Sequence, residues 1–300
     1  MKVLVLAGPT AAGKTDAAIA VAEAWGATIV SADAMQVYRG MDIGTAKVDA
    51  ATRARIPHVG IDVVDPDEPF DAATFAALTE ATIARGGPVV VVGGTSLYLR
   101  GLTRGLVETP PADEALRRRL EALPDPHGEL AKVDPVLAAR LHPNDLVRVV
   151  RGLEVFTLTG TPLSALHAVH AGEADRVAAV GLWLDRPDLD ARIEARVGAM
   201  MAAGYVDEVR ALLGRGYDRS LRSMQSLGYR HVCDHVIDGL PVDEAIRRTA
   251  RDTKKFARKQ RNWMKVLGYP KVEENAAAQA LAAAAVAFGD AEADTRPRSG

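Results

Sequence analysis

The feature that most constrains this chain is a glycine-bounded loop near its start, with the sequence Gly-Pro-Thr-Ala-Ala-Gly-Lys-Thr. It satisfies the pattern G-x-x-x-x-G-K-S/T between an apolar run, Lys2 to Ala7, and a helical pattern. The glycines let backbone N–H groups converge on phosphate oxygens, and the N-terminus of the following helix adds a favourable dipole. In such a loop Lys14 supplies positive charge and the Thr15 hydroxyl ligates Mg²⁺. The residues predicted to bind a diphosphate or nucleotide, here called the phosphate loop, are Gly8, Pro9, Thr10, Ala11, Ala12, Gly13, Lys14 and Thr15.

The first hundred residues alternate strand-like and helix-like segments. Buried strands are predicted at 28–30, 58–64 and 88–92, in addition to the one before the phosphate loop. A helix is predicted over 70–85, with Asp71 as its N-cap. Strand–helix alternation with short loops is typical of βαβ units, so the pattern predicts an α/β protein with a P-loop NTPase-like parallel sheet core.

The pattern changes at Thr109, where prolines begin to separate short helical segments. A strand pattern returns only at 178–184, and long helical patterns follow at 188–213 and 242–267. This predicts a mostly helical insertion within the α/β core and a low-complexity tail. The predicted parts are a discontinuous core at 1–108 and 176–272, an inserted helical domain at 109–175 and a disordered tail at 273–300.

Composition excludes several classes of protein. The 300 residues include 37 Lys+Arg against 39 Asp+Glu, a net charge of −2, so there is no global sign of nucleic-acid binding. The single cysteine, Cys233, excludes an internal disulfide framework and a cysteine-based zinc site. The initial apolar run is too short for a signal peptide, and no run approaches the roughly 20 residues of a membrane span. We therefore expect a cytoplasmic protein with no membrane partner.

Phosphate binding alone does not select a reaction, and the position of the nearest acid narrows the choice. A phosphate-loop motor carries an acid at the end of an apolar strand, but the strand at 88–92 is followed by Gly-Gly-Thr95. The acid is instead Asp33, after the second strand, at the sheet edge expected to face the phosphate loop. Asp33 would act there as a base on an acceptor O–H or N–H, or would only cap a turn. From these residues, a small-molecule P-loop kinase and a non-catalytic regulatory or RNA-binding protein both stay open.

Taken in order, the motifs of the chain resemble those of the bacterial tRNA dimethylallyltransferase family, also called tRNA isopentenyltransferases. The matching segments are residues 8–15, 31–47, 92–95, 97–99, 142–145, 148, 151, 159–160, 162–164, 192–196, 228–230 and 257–260. A series of motifs in one order is far more specific than a phosphate loop alone. The resemblance therefore implies the fold and the reaction of that family.

The implied reaction transfers a dimethylallyl group from dimethylallyl diphosphate to the N6 amine of the adenine immediately 3′ of the anticodon in tRNA. The phosphate loop, with Mg²⁺ on Thr15, would hold the leaving diphosphate, and Arg196 would contact it. Asp33 would accept the proton of the amine, and Thr10 would lie beside the reacting carbon. The adenine must leave the stack of the anticodon loop, which implies base flipping. The implied partners are the tRNA anticodon stem-loop and dimethylallyl diphosphate, bound by a monomer.

The same resemblance implies tRNA contacts in the core and in the insertion, where the arginines would clamp the anticodon stem. These contacts are Asp33, Ala34, Met35, Gln36, Thr95, Arg117, Val147, Arg148, Val149, Val150, Arg151, Gln225, Ser226, Leu227, Gly228, Tyr229 and Arg230. Some positions depart from the family pattern. Ala12 and Ala34 replace frequent serines, Ser96 replaces a common small residue, and Arg261-Asn262 stands where Leu/Ile-Thr is common. These departures concern the detail of adenine contacts rather than the reaction class.

Two further features have competing interpretations. The segment from Arg247 to Lys265 carries basic residues three and four apart, and in its sequence only Asp252 opposes them. Such a stripe is either a solvated helix face or a surface for the phosphate backbone, and the family resemblance favours the backbone. His231 and His235 lie four apart, but Cys233 falls on another face and no second pair follows. We therefore expect no structural metal site there.

Overall fold

The computed structural model describes residues 2–170 and 176–289 of the chain. The strands of the described residues are β1 Val3–Ala7, β2 Thr28–Ala32, β3 His58–Val59, β4 Val89–Gly93, β5 Val180–Leu184 and β6 Lys271–Val272. They form one sheet in the order β3-β2-β4-β1-β5-β6, and every neighbouring pair is parallel. The α/β class with a parallel sheet is confirmed.

Helices fill the connections between these strands, as parallel pairing requires. In chain order they are α1 Lys14–Trp25, α2 Ala50–Arg55, α3 Ala72–Ala84, α4 Ser96–Arg104, α5 Glu114–Glu121, α6 Pro126–Val133, α7 Pro135–Ala138, α8 Leu146–Thr159, α9 Leu163–His170, α10 Leu189–Ala202, α11 Tyr205–Gly214, α12 Tyr229–Asp238, α13 Val242–Leu267 and α14 Ala276–Phe288. None of the described helices is long and apolar enough to cross a membrane.

Local chemistry explains where several elements begin and end. Asp71 caps α3 by accepting the Thr74 N–H at 2.8 Å, as the sequence predicted. The predicted strand at 58–64 was too long, because Gly60 takes a left-handed φ of 81° directly after β3. The predicted helix over 188–213 is two helices, α10 and α11, separated at Gly204 with φ 99°. Both breaks use a conformation that glycine adopts without a steric penalty.

The chain divides into two compact units. Residues 2–103 and 176–289 form the first, which contains the sheet, and residues 104–170 form the second. This division falls a little before the predicted boundary at residue 109. The second unit has its own apolar core of helix residues, including Leu130, Val149 and Leu153.

The predicted disorder of the tail is wrong for residues 276–288, which form α14. Alanines on one face of this helix, such as Ala280 and Ala284, are fully buried against the cluster formed by β1, β5 and α1. Phe288 is 2% exposed and meets Trp25 edge-on, with ring centroids 5.7 Å apart. The low complexity of this segment therefore reflects close helix packing by small side chains. The part of the tail at 290–300 lies outside the described residues.

We predict that Phe288→Ala destabilises the first unit although it lies close to the end of the chain. Removing a buried phenyl ring typically costs about 3 kcal/mol or more of unfolding free energy. Val286→Ala on the same helix is the matched control, because Val286 is 69% exposed and should cost no more than about 0.5 kcal/mol. Urea unfolding followed by circular dichroism measures both. Equal, small effects of the two substitutions would contradict a structural role for α14.

Candidate active site

A cavity of about 540 Å³ lies at the carboxyl ends of the central strands, within the first unit. This is where open α/β sheets bind their ligands. The predicted site residues that line it are Thr10, Lys14, Thr15, Asp33, Ala34, Met35, Gln36, Thr95, Arg196, Ser226, Leu227, Gly228 and Tyr229. The structure thus brings together the predicted catalytic residues and most of the core residues predicted to contact RNA.

The conformation of the phosphate loop is fixed by contacts within the loop and by contacts from α10 and α13. Gly13, with φ 86°, turns the chain into α1, and Lys14 Nζ donates to the Pro9 carbonyl at 2.6 Å. From the opposite side, Arg192 Nε of α10 donates to the Ala11 carbonyl at 2.9 Å. Ala11 and Ala12 pack against the apolar side of α10 and α13. The loop is therefore sandwiched between the sheet edge and helices from the other end of the chain.

Of the charged residues that line the cavity, Lys14, Arg196 and Asp33 influence one another. Burial and the neighbouring Arg196 guanidinium lower the pKa of Lys14 to about 8, while Asp33 acts in the opposite direction. Burial likewise lowers the pKa of Arg196, which Asp33 raises and Arg192 lowers further. Two cations crowded next to the phosphate loop, with one carboxylate beside them, form a site that an anion would stabilise.

Asp33 is positioned by the turn that it begins. Its Oδ1 accepts the Met35 N–H at 2.8 Å, while Thr95 Oγ1 accepts the neighbouring Ala34 N–H at 3.0 Å. The turn-capping role that the sequence left open is therefore present. It leaves the carboxylate at the cavity wall, because Asp33 is a lining residue.

Glu208 is a residue of this site that the sequence reasoning missed. Its carboxylate accepts the N–H groups of Asp42, Ile43 and Gly44 at 2.8, 2.6 and 3.1 Å, and the Tyr229 hydroxyl at 2.6 Å. Gly44 lines the cavity and packs against the ring of Tyr205, which leaves no space for a side chain. One carboxylate on α11 therefore fixes the backbone of the segment 42–44, of which Gly44 lines the cavity. That segment lies within the motif at 31–47, which was the only available signal.

Gln260 of α13 was also missed, although it belongs to the motif at 257–260. Its Oε1 accepts the Thr10 N–H at 2.9 Å, and its Nε2 donates to the Gly94 carbonyl at 3.0 Å. Its neighbour Arg261 departs from the family pattern and pairs with the buried Asp185 after β5, with Nε 2.9 Å from Oδ1. These two residues attach α13 to the ends of β4 and β5.

Two of the predicted RNA contacts in the first unit lie elsewhere. Gln225 and Arg230 line a separate polar hollow of about 380 Å³ between α12 and α13. Arg230 Nη2 pairs there with Asp252 at 2.6 Å. Asp252 also accepts from His231 at 3.0 Å, and His235 Nδ1 lies 2.6 Å from the Leu240 carbonyl oxygen. Both histidines thus have partners within the protein.

The predicted contacts of the second unit differ greatly in exposure. Val147 is 73% exposed and Arg148 is on the surface, whereas Val149 and Val150 are buried, so their side chains cannot touch a partner from these positions. Arg117 and Arg151 both bind the buried Glu154 carboxylate. Burial acts to raise the pKa of Glu154, but hydrogen bonds from both arginines outweigh it and lower the pKa. The two arginines therefore have a structural role within this unit.

The basic stripe of α13 is more extensively paired than its own sequence suggested. Lys254 pairs with Glu194 at 2.5 Å, and Arg258 approaches Asp190 at 3.5 Å. Both carboxylates belong to α10, so no spacing rule within α13 could reveal them. Arg251 pairs with Asp252 of its own helix. RNA binding by the stripe stays a prediction, and it would have to compete with these ion pairs.

The oxygen donors of the cavity fit a hard cation. Thr15 places a hydroxyl at the first turn of α1, and Asp33 adds a carboxylate to the same cavity. Mg²⁺ takes oxygen ligands and commonly uses few protein groups when substrate phosphates complete its shell. Within residues 2–170 and 176–289, no three His, Cys, Asp or Glu side chains form a metal-binding group.

Comparison with known proteins gives the family of the chain. The pattern described as IPP transferase matches residues 36–266, and the pattern described as isopentenyl transferase matches residues 1–56. A tRNA dimethylallyltransferase of Geobacter metallireducens is 48% identical over 276 residues, which cover 88% of this chain and 89% of the relative. The enzyme of the same name from Sorangium cellulosum is 47% identical and covers 88% of each chain.

Solved structures agree with this result. The full-length tRNA isopentenylpyrophosphate transferase of Bacillus halodurans has a TM-score of 0.68 at 33% identity and covers 98% of both chains. A eukaryotic dimethylallyltransferase captured acting on tRNA has a TM-score of 0.80 at 24% identity, covering all of this chain and 81% of its own. At that identity the second likeness concerns the fold alone.

We predict that the affinity for inorganic diphosphate falls as the pH rises through the pKa of Lys14. An anion binds the protonated ammonium better, so a pKa near 8 implies about ten-fold weaker binding at pH 9 than at pH 7. Isothermal titration calorimetry at several pH values measures this change. Lys14→Met is the control for titration of the diphosphate itself, and its weaker binding should vary less with pH. A slope as steep in Lys14→Met as in the wild type would contradict the assignment.

Proposed function

Because the chain belongs to the IPP transferase family, whose relatives here are tRNA dimethylallyltransferases, we propose that it transfers a dimethylallyl group from dimethylallyl diphosphate to an adenine of tRNA. The proposed acceptor atom is the N6 amine of the adenine immediately 3′ of the anticodon. The observation that carries this proposal is the single cavity in which the phosphate loop, Arg196 and Asp33 lie together. In this cavity the phosphate loop and Arg196 can stabilise a group that leaves as an anion, and Asp33 can accept a proton from a second group.

The leaving diphosphate is the first requirement of the proposed reaction. The bond between the allylic carbon and the diphosphate oxygen breaks, and its electron pair departs with the diphosphate. Lys14 and Arg196 are the cations that would stabilise this charge, together with the N–H groups of the phosphate loop. Thr10 would lie beside the reacting carbon. Burial lowers the pKa of both cations, and the nearby Arg196 guanidinium lowers the pKa of Lys14 further, which supports this assignment.

The amine is the second requirement. Its nitrogen forms the new bond to the allylic carbon and loses one proton, which the Asp33 carboxylate would accept and later release to water. An aromatic amine is a weak nucleophile, so its position relative to the carbon matters more than the strength of the base. The fixed turn at Asp33, held by its own carboxylate and by Thr95, supports this role.

A magnesium ion would be held by the Thr15 hydroxyl and by the diphosphate. When bound, Mg²⁺ supplies positive charge to the departing phosphate oxygens. The presence of Thr15 in the wall of the cavity supports this assignment.

The proposed RNA contacts form two groups. In the first unit, the residues from Ser226 to Tyr229 would surround the flipped adenine, because they line the cavity. In the second unit, the exposed Val147 and Arg148 are the best placed of the predicted contacts to meet the anticodon stem-loop. We propose that the protein acts as a monomer. The alternative of a small-molecule kinase is not favoured, since the relatives are named tRNA dimethylallyltransferases along most of the chain.

The test of the proposed function mixes the protein with labelled dimethylallyl diphosphate, Mg²⁺ and an unmodified tRNA. We expect label to enter the RNA at the adenine 3′ of the anticodon, as located by nuclease digestion and mass spectrometry. A tRNA with another base at that position is the matched control and should stay unlabelled. In a parallel reaction with ATP labelled at the γ-phosphate, transfer of label to a metabolite, with no prenyl label in RNA, would support the kinase instead.

We predict that Asp33→Asn lowers the single-turnover rate of transfer about 100-fold or more, the usual contribution of a general base. Diphosphate affinity should not fall, since the substitution keeps the size of the side chain and removes a negative charge beside Lys14 and Arg196. Rapid quench at saturating substrates measures the rate, and calorimetry measures the affinity. The exposed Asp67→Asn is the control and should leave both unchanged. Equal losses of rate and affinity in Asp33→Asn would refute its role as a base.

A further inference from the structure

We propose that Gln260 is a positioning residue that sets the distance between the two reacting groups of the cavity; this inference rests on the proposed function. Gln260 lies on α13 and is 6% exposed. It faces the ends of β1 and β4 rather than solvent, and it lines the cavity. It does not itself touch the reacting atoms in the proposed mechanism.

The first contact of Gln260 is with the residue beside the electrophilic carbon. Its amide oxygen accepts the Thr10 N–H at 2.9 Å. This bond orients the peptide before Thr10 and therefore the direction in which the Thr10 side chain leaves the phosphate loop. This hydrogen bond restricts the backbone rotation of Thr10, so its side chain is held in one direction.

The second contact leads to the residue beside the amine. The amide nitrogen of Gln260 donates to the Gly94 carbonyl at 3.0 Å. The next residue, Thr95, accepts the Ala34 N–H through its hydroxyl at 3.0 Å, and Ala34 directly follows Asp33. The Gln260 amide is therefore hydrogen-bonded directly to Thr10, and it is connected to Asp33 through Gly94, Thr95 and Ala34.

The chemistry of the site requires an amide at this position. One planar group accepts from an N–H and donates to a carbonyl here, and among straight side chains of this length only glutamine does both in its ordinary ionisation state. The fit is tight, since a side chain on Gly94 would overlap the Gln260 amide. The ion pair of the next residue, Arg261, with Asp185 holds this part of α13 in place. The position of Thr10 relative to Asp33 thus depends on one buried side chain.

The test compares Gln260→Met, which keeps the length and apolar volume but has no amide, with Gln260→Glu. In Gln260→Met we expect the single-turnover rate of dimethylallyl transfer to fall about 100-fold, because a small misplacement of reacting groups is costly. The dissociation constants for inorganic diphosphate and tRNA should stay within about three-fold, since neither ligand needs the amide for binding. Gln260→Glu keeps the acceptor for Thr10 and loses the donor to Gly94, so it should recover part of the rate. Gln279→Met, on the exposed side of α14, is the matched control and should behave as the wild type.

Several outcomes would overturn the positioning role. They are an unimpaired rate in Gln260→Met, a loss of ligand affinity as large as the loss of rate, or no recovery in Gln260→Glu while its melting temperature matches that of the wild type. If Gln260→Met does not fold, the split between rate and affinity is measured on Gln260→Asn, a neutral amide one methylene shorter, with the same criteria. A wild-type protein that labels no tRNA would contradict the proposed function itself. An active wild type with an equally active Gln260→Met contradicts only the inference about Gln260.

Discussion

The register of three central parallel strands determines where the chemistry of this protein can occur. Ala7 of β1 is level with Gly93 of β4, and Gly93 is level with Ala32 of β2. The residues that follow these three positions, at 8, 33 and 94, therefore emerge side by side at one edge of the sheet. Gly93 lies against the Ala32 carbonyl so closely that a side chain would not fit there. This close packing brings the phosphate loop, Asp33 and the Gly94–Thr95 segment within reach of a single ligand.

The strand ends do not complete the site without the far end of the chain. Helix α10 supplies Arg196 to the cavity and Arg192 to the phosphate loop, and α13 supplies Gln260. Both helices follow the second unit in sequence. Burial of Lys14 in this site lowers its pKa to about 8, and the neighbouring Arg196 contributes to that shift. In the ligand-free protein, Lys14 and Arg196 repel each other. A bound anion would reduce this repulsion, and that reduction would contribute to its affinity.

Much of the fold was accessible from the sequence because its signals are local. The apolar run before the phosphate loop is β1, and the long basic helical pattern is α13 with the predicted bounds. Other expectations failed where tertiary packing prevailed over the local pattern. The alanine-rich segment of the tail is weakly hydrophobic by itself, yet α14 is stable because small side chains allow close contact with α1 and the sheet. The stripe of α13 looked unpaired because its partners, Glu194 and Asp190, belong to another helix.

In the candidate site, too, some features follow from local sequence and others only from tertiary packing. Short spacings within one segment dictate the phosphate loop and the place of Asp33 after a strand, since backbone shape and residue type alone carry that information. The reaction family was indicated by the resemblance of a series of motifs along the chain. Glu208 and Gln260 had no such signal, because each acts on a segment distant in sequence. Thr10 and Gln260 are 250 residues apart, and Gly44 and Glu208 are 164 apart. Hydrogen bonds between residues so far apart in sequence form only when the helices have packed on the sheet. Tertiary structure alone therefore decided how the reacting groups are held.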